Sequence, residues 1–343
     1  MQTHFATFKE TILLYLFLPK YDTILSGDKM KQINPFPYSK DNKRYHTFNY
    51  AMREKYHTKI VKIPLDAGNT CPNRDGTCGI GGCTFCGFQG SGTFIQGNRQ
   101  SLLSQYEDGK KFISSKWNDY KTFPYFQSFT NTYAPLETIK SKIEPFLKMD
   151  EVKGIVIATR ADCLEPDKIT YLSSLCQTKD IWIELGLQSI HDETAQLINR
   201  GHTFSCFSEC VLALSKTDIK ICVHIINSLP TETEAMMMAT IQTLAKLPIH
   251  AIKIHMLHIM KNTSMAKEYQ TKPFPLLSKE EYIKLVVNQL EILPPNIIIE
   301  RLTGDGDQSD LIAPLWTSNK KTVLNEIDKE FVRRDSWQGK YYK

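Results

Sequence analysis

The sequence predicts an α/β protein built on a parallel sheet, and three observations carry that prediction. From residue 59 onward, β-rich runs at 59–65, 125–129, 154–159, 181–187, 220–226 and 251–256 alternate with helix-like stretches at 102–117, 136–149, 166–176, 194–199, 207–216 and 234–247. Strands that alternate with helices pair in parallel, as a partial barrel or as a doubly wound sheet. Each run then ends in polar or Gly/Pro-rich residues, where parallel α/β folds carry their active groups. Finally, 343 residues at 41% hydrophobic content supply a core for one large barrel with extensions or for two ordinary domains.

Along the chain, residues 1–29 form an N-terminal extension. Its apolar run Ile12–Leu18 follows Lys9 and Glu10, precedes Pro19, and is too short to span a bilayer. It reads as a peripheral helix, a lipid-surface helix or a translation start set too early, because Met30 opens an ordinary soluble sequence. A lead segment at 30–58 follows, then a core at 59–262 and a C-terminal extension at 263–343. That extension holds a Pro-containing linker (Lys272 to Pro275), a helix at 279–293, a strand at 296–302 and a basic, aromatic tail. Nine cysteines without a secretory signal point to a reducing compartment, so the expected location is cytoplasmic, with no membrane partner. A net charge of +5 permits an anionic partner such as RNA without requiring one.

The most informative segment follows the first run. It reads Cys71-Pro-Asn-Arg-Asp-Gly-Thr-Cys78-Gly-Ile-Gly-Gly-Cys83-Thr-Phe-Cys86. Four thiolates suit a closed zinc site, whereas three would leave one iron of a four-iron cluster open to a chelating cofactor. Spacing alone leaves both readings open. Cys163, Cys176, Cys206, Cys210 and Cys222 fall in apolar patterns and read as core residues.

Cys71-Pro72-Asn73-Arg74-Asp75-Gly76, Gly81-Gly82-Cys83-Thr84-Phe85-Cys86 and Glu184-Leu185-Gly186-Leu187-Gln188-Ser189 resemble the radical S-adenosylmethionine enzymes of the branch typified by the YhcC and YtqA proteins. Asn199-Arg200-Gly201-His202 and Lys253-Ile254-His255-Met256-Leu257-His258 carry the same resemblance, which runs from Asn34 to Lys340. The branch is also similar to the radical domain of the Elongator catalytic subunit. The resemblance implies a partial (β/α)6 TIM-like barrel of the radical S-adenosylmethionine type, with an N-terminal lead and a small C-terminal α/β extension.

It further implies that Cys71, Cys83 and Cys86 hold a 4Fe–4S cluster and that Cys78 is incidental. S-Adenosylmethionine would chelate the open iron and be cleaved reductively to a 5′-deoxyadenosyl radical. Gln127, Ser128, Thr130 and Asn131 lie where superfamily members contact the methionyl amine, and the loop with Asn227 lies where relatives approach adenine. Glu184 and Gln188 share one strand face, with Gln188 a candidate for the ribose or carboxylate. Arg160 is expected to bind a carboxylate or to pair with Asp162 or Glu184. Arg200 and His202 read as loop anchors or cofactor contacts. Lys253, His255 and His258 are the substrate candidates.

The implied substrate is a tRNA wobble-uridine side chain, remodelled from carboxymethylaminomethyl to aminomethyl. The implied partners are tRNA, an electron donor such as flavodoxin or ferredoxin, and a methyltransferase acting on the product. Two basic, aromatic segments, 42–57 and the tail, are expected to cradle RNA at the site mouth. The other function classes are a radical enzyme acting on a small metabolite or cofactor precursor, and a non-catalytic zinc-stabilised RNA-binding protein.

Overall fold

The computed structural model describes residues 36, 38, 43–87, 90, 100–304 and 308–343, so the expectations for residues 1–29 lie outside the described residues. Helix α1 (Phe48–Tyr56) leads into β1 (Ile60–Leu65), α2 (Leu102–Ser114), β2 (Lys121–Phe126), α3 (Leu136–Leu147), β3 (Gly154–Thr159) and α4 (Pro166–Leu175). Next come β4 (Asp180–Gln188), α5 (Asp192–Leu197), α6 (Phe204–Leu214), β5 (Lys220–Asn227), α7 (Glu234–Leu244) and β6 (Ala251–Met256). The chain continues through β7 (Ile259–Met260), α8 (Ser264–Thr271), α9 (Lys279–Glu291), β8 (Ile298–Arg301), β9 (Leu311–Ala313) and α10 (Lys320–Arg333).

Seven parallel strands form one sheet in the order β1-β2-β3-β4-β5-β6-β8. A doubly wound sheet reverses its strand order at a switch point. Here the order follows the chain without reversal, so right-handed crossovers carry the helices to one face and the sheet curls into a partial barrel. The expected sixth strand is not the last, because the strand at 296–302 joins β6 as β8 instead of standing apart in the extension.

Strand parity sorts the residues. Ile155, Ile157, Ile181, Ile183, Leu185, Ile221, Val223, Ile252 and Ile254 point outward into the main core under the helices. Each such side chain contributes roughly 1.5–3 kcal/mol by leaving water. The opposite parity faces the concave side, where Ile60, Phe123, Val156, Trp182, Cys222 and Ala251 pack around Met52 of α1. Helix α1 starts at Thr47, whose hydroxyl accepts from the Tyr50 amide, and stops at His57 in the left-handed conformation. It packs on both β1 and β8, the two edges of the sheet, and plugs the amino-terminal end of the half-barrel.

The second strand begins at Lys121, four residues before the expected start. Pro124 reads as a breaker in sequence, yet it pairs with Ile63 of the edge strand, and the β2–β3 ladder is confined to Tyr125 and Phe126. The basic, aromatic segments also differ from expectation. Gln338 accepts from the His46 amide and donates to the carbonyls of Pro294 and Ile297, which places both segments at the amino-terminal end of β8. Their cations are largely spent on internal pairs: Arg44 with Asp335, Lys55 with Asp180, and Arg333 and Arg334 with Glu330. They therefore do not flank the mouth of the cysteine site. No described helix is long and apolar enough to cross a membrane.

Candidate metal centre and its strand-end surroundings

The loop that leaves β1 folds on itself before it meets anything else. Cys71 O accepts from the amides of Arg74 (2.8 Å) and Asp75 (3.3 Å), Pro72 O from Cys78 N (2.9 Å), and Cys83 O from Cys86 N (2.9 Å). Two glycines make room for side chains of the same loop. A Cβ on Gly79 would lie 2.0 Å from Asn73 Oδ1, and one on Gly82, at φ +80°, would lie 2.8 Å from Arg74 Nε.

The sulfurs divide into a set and an outlier. Burial pushes the Cys83 thiol up to about 12, and the neighbouring Cys86 and Cys71 sulfurs push it in the same direction. Cys86 is raised too, chiefly by burial, with Arg74 favouring its thiolate and Cys71 opposing it. Cys83 and Cys86 thus lie close enough to Cys71 for its sulfur to oppose their ionisation. Cys78 is exposed; burial raises its thiol, and its charged neighbours are Arg160, Asp162, Cys71 and Asp75, with Arg160 Nη2 at 3.6 Å. Zinc–sulfur bonds of about 2.3 Å would hold thiolates about 3.8 Å apart. Among the described residues, no three loop sulfurs lie within 4.8 Å of one another. Cys71, Cys83 and Cys86 are the sulfurs that would hold a 4Fe–4S cluster.

Around this loop the strand ends supply strained backbone and polar atoms. Phe129, Gln188 and Ser228, at or just after the ends of β2, β4 and β5, all adopt the left-handed region. Ser128 Oγ is buried with no hydrogen-bond partner among the described residues. Gln127 holds Leu65 through its backbone (3.1 Å) and Thr130 holds Thr70 (3.3 Å). The Asn131 amide is committed to the carbonyls of Phe126, Ser128 and Ala158. Arg160 forms a two-pronged pair with Asp162 (2.9 and 2.6 Å) and also donates to Arg200 O (2.5 Å). Arg200 proves to be an anchor: it is buried and donates to the carbonyls of Leu187, Ser189 and His202. Burial and the two arginines lower His202 to about 4, so its ring is neutral. The Asn227 and Gln289 amides exchange two bonds of 2.9 Å, and the Gln188 side chain folds over Gly186.

Below the strand ends lies a charged layer that sequence reasoning saw only in part. Glu184, fully buried, accepts from Lys62 (2.8 Å), Lys253 (2.6 Å) and Tyr125 (2.6 Å), and His224 Nε2 lies 2.8 Å away. Lys62 also bonds Glu300, which joins the first strand of the sheet to the last. Opposed by its own burial, Glu184 is nonetheless held well below the usual carboxylate range by Lys253 and Lys62. Burial lowers His224 and lowers His255 further; their rings lie 5.7 Å apart, and His255 Nε2 has no hydrogen-bond partner among the described residues. The His258 ring lies against Gly304, where a Cβ would come within 2.5 Å of it. Glu184, Cys222 and His224 have ligand atoms close enough for a metal, but the two ammonium groups on Glu184 repel a cation there. Lys62, Tyr125 and Glu300 were legible only as polar residues of inward parity in otherwise apolar strands.

A radical S-adenosylmethionine superfamily model matches residues 68–244, and a radical S-adenosylmethionine C-terminal domain model matches 249–333. The chain belongs to the radical S-adenosylmethionine superfamily. It is 49% identical over 313 residues to the uncharacterised protein YtqA of Bacillus subtilis, covering 91% of this chain and 97% of that one. It is 32% identical over 296 residues to YhcC of Escherichia coli, covering 85% and 93%. A more distant relative, a tRNA uridine(34) acetyltransferase of Methanocaldococcus infernus, shares 24% over 184 residues, 53% of this chain and 33% of that protein. The solved structure of Elp3 from the same archaeon superposes with a TM-score of 0.58 at 13% identity, over 81% of this chain and 64% of that one, a likeness of fold.

Family membership implies the bound groups: a 4Fe–4S cluster and S-adenosylmethionine, which when bound would supply one-electron reductive chemistry. The chain's own residues do the rest. The loop carries the three sulfurs, and the apolar plug under the charged layer excludes water from below.

Proposed function

We propose that this radical S-adenosylmethionine enzyme remodels a tRNA wobble-uridine side chain, of the carboxymethylaminomethyl to aminomethyl type. The observation that carries the reading is the relative that acts on tRNA uridine 34, whose likeness to this chain spans 184 residues. A hydrogen atom on a side-chain methylene beside the amine nitrogen is a target that a carbon radical abstracts and that ordinary acid–base groups do not deprotonate. In this reading Gln127, Ser128, Thr130, Asn131, Arg160, Glu184, Gln188 and Asn227 line the S-adenosylmethionine site by backbone or side chain. Lys253, His255 and His258 face the uridine substituent. Flavodoxin or ferredoxin supplies the electron in the cytoplasm, and a partner methyltransferase takes the product.

Nucleoside mass spectrometry of tRNA from cells with and without the gene tests this. The expected result is loss of the aminomethyl-type nucleoside and accumulation of its carboxymethylaminomethyl precursor. An unchanged wobble-nucleoside profile, alongside intact 5′-deoxyadenosine formation by the purified enzyme, would redirect the search to small-molecule substrates.

A further inference from the structure

Asn73 is a buried polar side chain of the cysteine loop to which the chemistry above gives no task. It is fully buried, and its amide oxygen lies in the space left by two glycines: a Cβ on Gly79 would approach Oδ1 to 2.0 Å and one on Gly201 to 3.0 Å. The amide's orientation is fixed, because Nδ2 donates to the carbonyl of Asn199. The same nitrogen lies 3.8 Å from Cys83 Sγ, within reach of an N–H···S hydrogen bond. An amide nitrogen carries two hydrogens and can serve both acceptors. A matching latch runs the other way, since Asn199 Nδ2 donates to the carbonyls of Gly82 (2.8 Å) and Ile80 (3.3 Å). Asn73 and Asn199 thus bind the loop to the turn after α5, but only Asn73 touches a sulfur that would bind iron.

We infer that Asn73 is a positioning residue acting through Cys83: its N–H holds the thiolate as a cluster ligand and raises the reduction potential of the bound cluster. A hydrogen bond to a ligating sulfur draws charge off the iron–sulfur core and favours the reduced form. The inference rests on the cluster assignment and is independent of the RNA substrate, so failure of either leaves the other standing.

The test uses the full chain with its cluster assembled anaerobically. Pulsed electron paramagnetic resonance of the reduced cluster, in protein labelled with 15N at the asparagine side-chain amide, should show a nitrogen coupling. Asn73→Ala should lose the coupling and shift the midpoint potential to a more negative value in a dye-mediated titration. Asn199→Gly removes the second latch and tolerates the left-handed backbone at that position (φ 52°); it should keep both the coupling and the wild-type potential. Absence of the coupling in the wild type overturns the inference. So does its survival in Asn73→Ala, an unshifted potential in that variant, or an equal shift in both variants. If Asn73→Ala fails to hold a cluster, the coupling in the wild type and in Asn199→Gly decides alone: presence in both supports the inference and absence overturns it.

Discussion

The two ends of the half-barrel are built on opposite principles. At the amino-terminal end, Met52, Phe48, Phe123 and Trp182 fill the concave face with apolar volume, and the lead and tail segments close over it with paired charges. At the carboxyl-terminal end, Phe129, Gln188, Asn199 and Ser228 are held in left-handed conformations, and Ser128 Oγ and His255 Nε2 remain without hydrogen bonds among the described residues. The separation is one of degree: the amino-terminal end also carries His57 in the left-handed region and buried Thr58 Oγ1 and Trp182 Nε1 without hydrogen bonds among the described residues. Between them lies the Lys62–Glu184–Lys253–Glu300 layer, buried like a core and charged like a site.

That contrast can be broken at four points. The largest effect should come from the cysteines. Cys83→Ala or Cys86→Ala should abolish iron and sulfide incorporation and reduce 5′-deoxyadenosine formation to background, while Cys78→Ala retains both; equal loss in Cys78→Ala would return it to the ligand set. Next, Glu184→Ala leaves two buried ammonium groups to share Glu300 alone and should cost about 3–5 kcal/mol in urea unfolding, as removal of one partner from a buried ionic cluster does. A loss near zero would show the layer to be solvated and part of the open end. Met52→Ala should cost about 2–3 kcal/mol through the cavity it leaves in the plug, without changing iron content. The smallest effect concerns pH. His250 Nδ1 accepts from the Ile221 amide (3.2 Å), and burial lowers this histidine to about 4. The unfolded chain therefore binds a proton that the folded one resists, so this contribution is full above about pH 6.5 and declines as pH falls toward 4. Urea midpoints measured from pH 7.5 to 5 should fall less steeply in His250→Gln than in the wild type.

Sequence legibility followed the same divide. The β3 range read correctly because Gly154–Thr159 is apolar on both faces, and the β6 range because Ile252, Ile254 and Met256 alternate with Lys253 and His255. The start of β2 was missed because Pro124 signals a break that its place beside an edge strand makes tolerable. Glu184 and Lys253 were legible as unusual residues, but not as partners of each other, because 69 residues separate them and only the sheet brings them to 2.6 Å. For Asn73, the sequence showed a motif position; its buried bonds to Cys83 and Asn199 depend on a loop meeting a distant turn. The basic tail looked like a surface for RNA because composition shows the charges and hides their pairing with Glu330 and Glu291.

The tie between Lys62 and Glu300 has a geometric consequence. A closed barrel can change its girth only by whole strands, since backbone ladders fix the spacing all the way round. Here β1 and β8 share no ladder, and the span between them is set by the reach of two side chains and by the thickness of the helix wedged below. The opening is therefore an adjustable gauge. Its bore can be retuned by an atom or two of side-chain length, without redrawing the sheet that carries the chemistry.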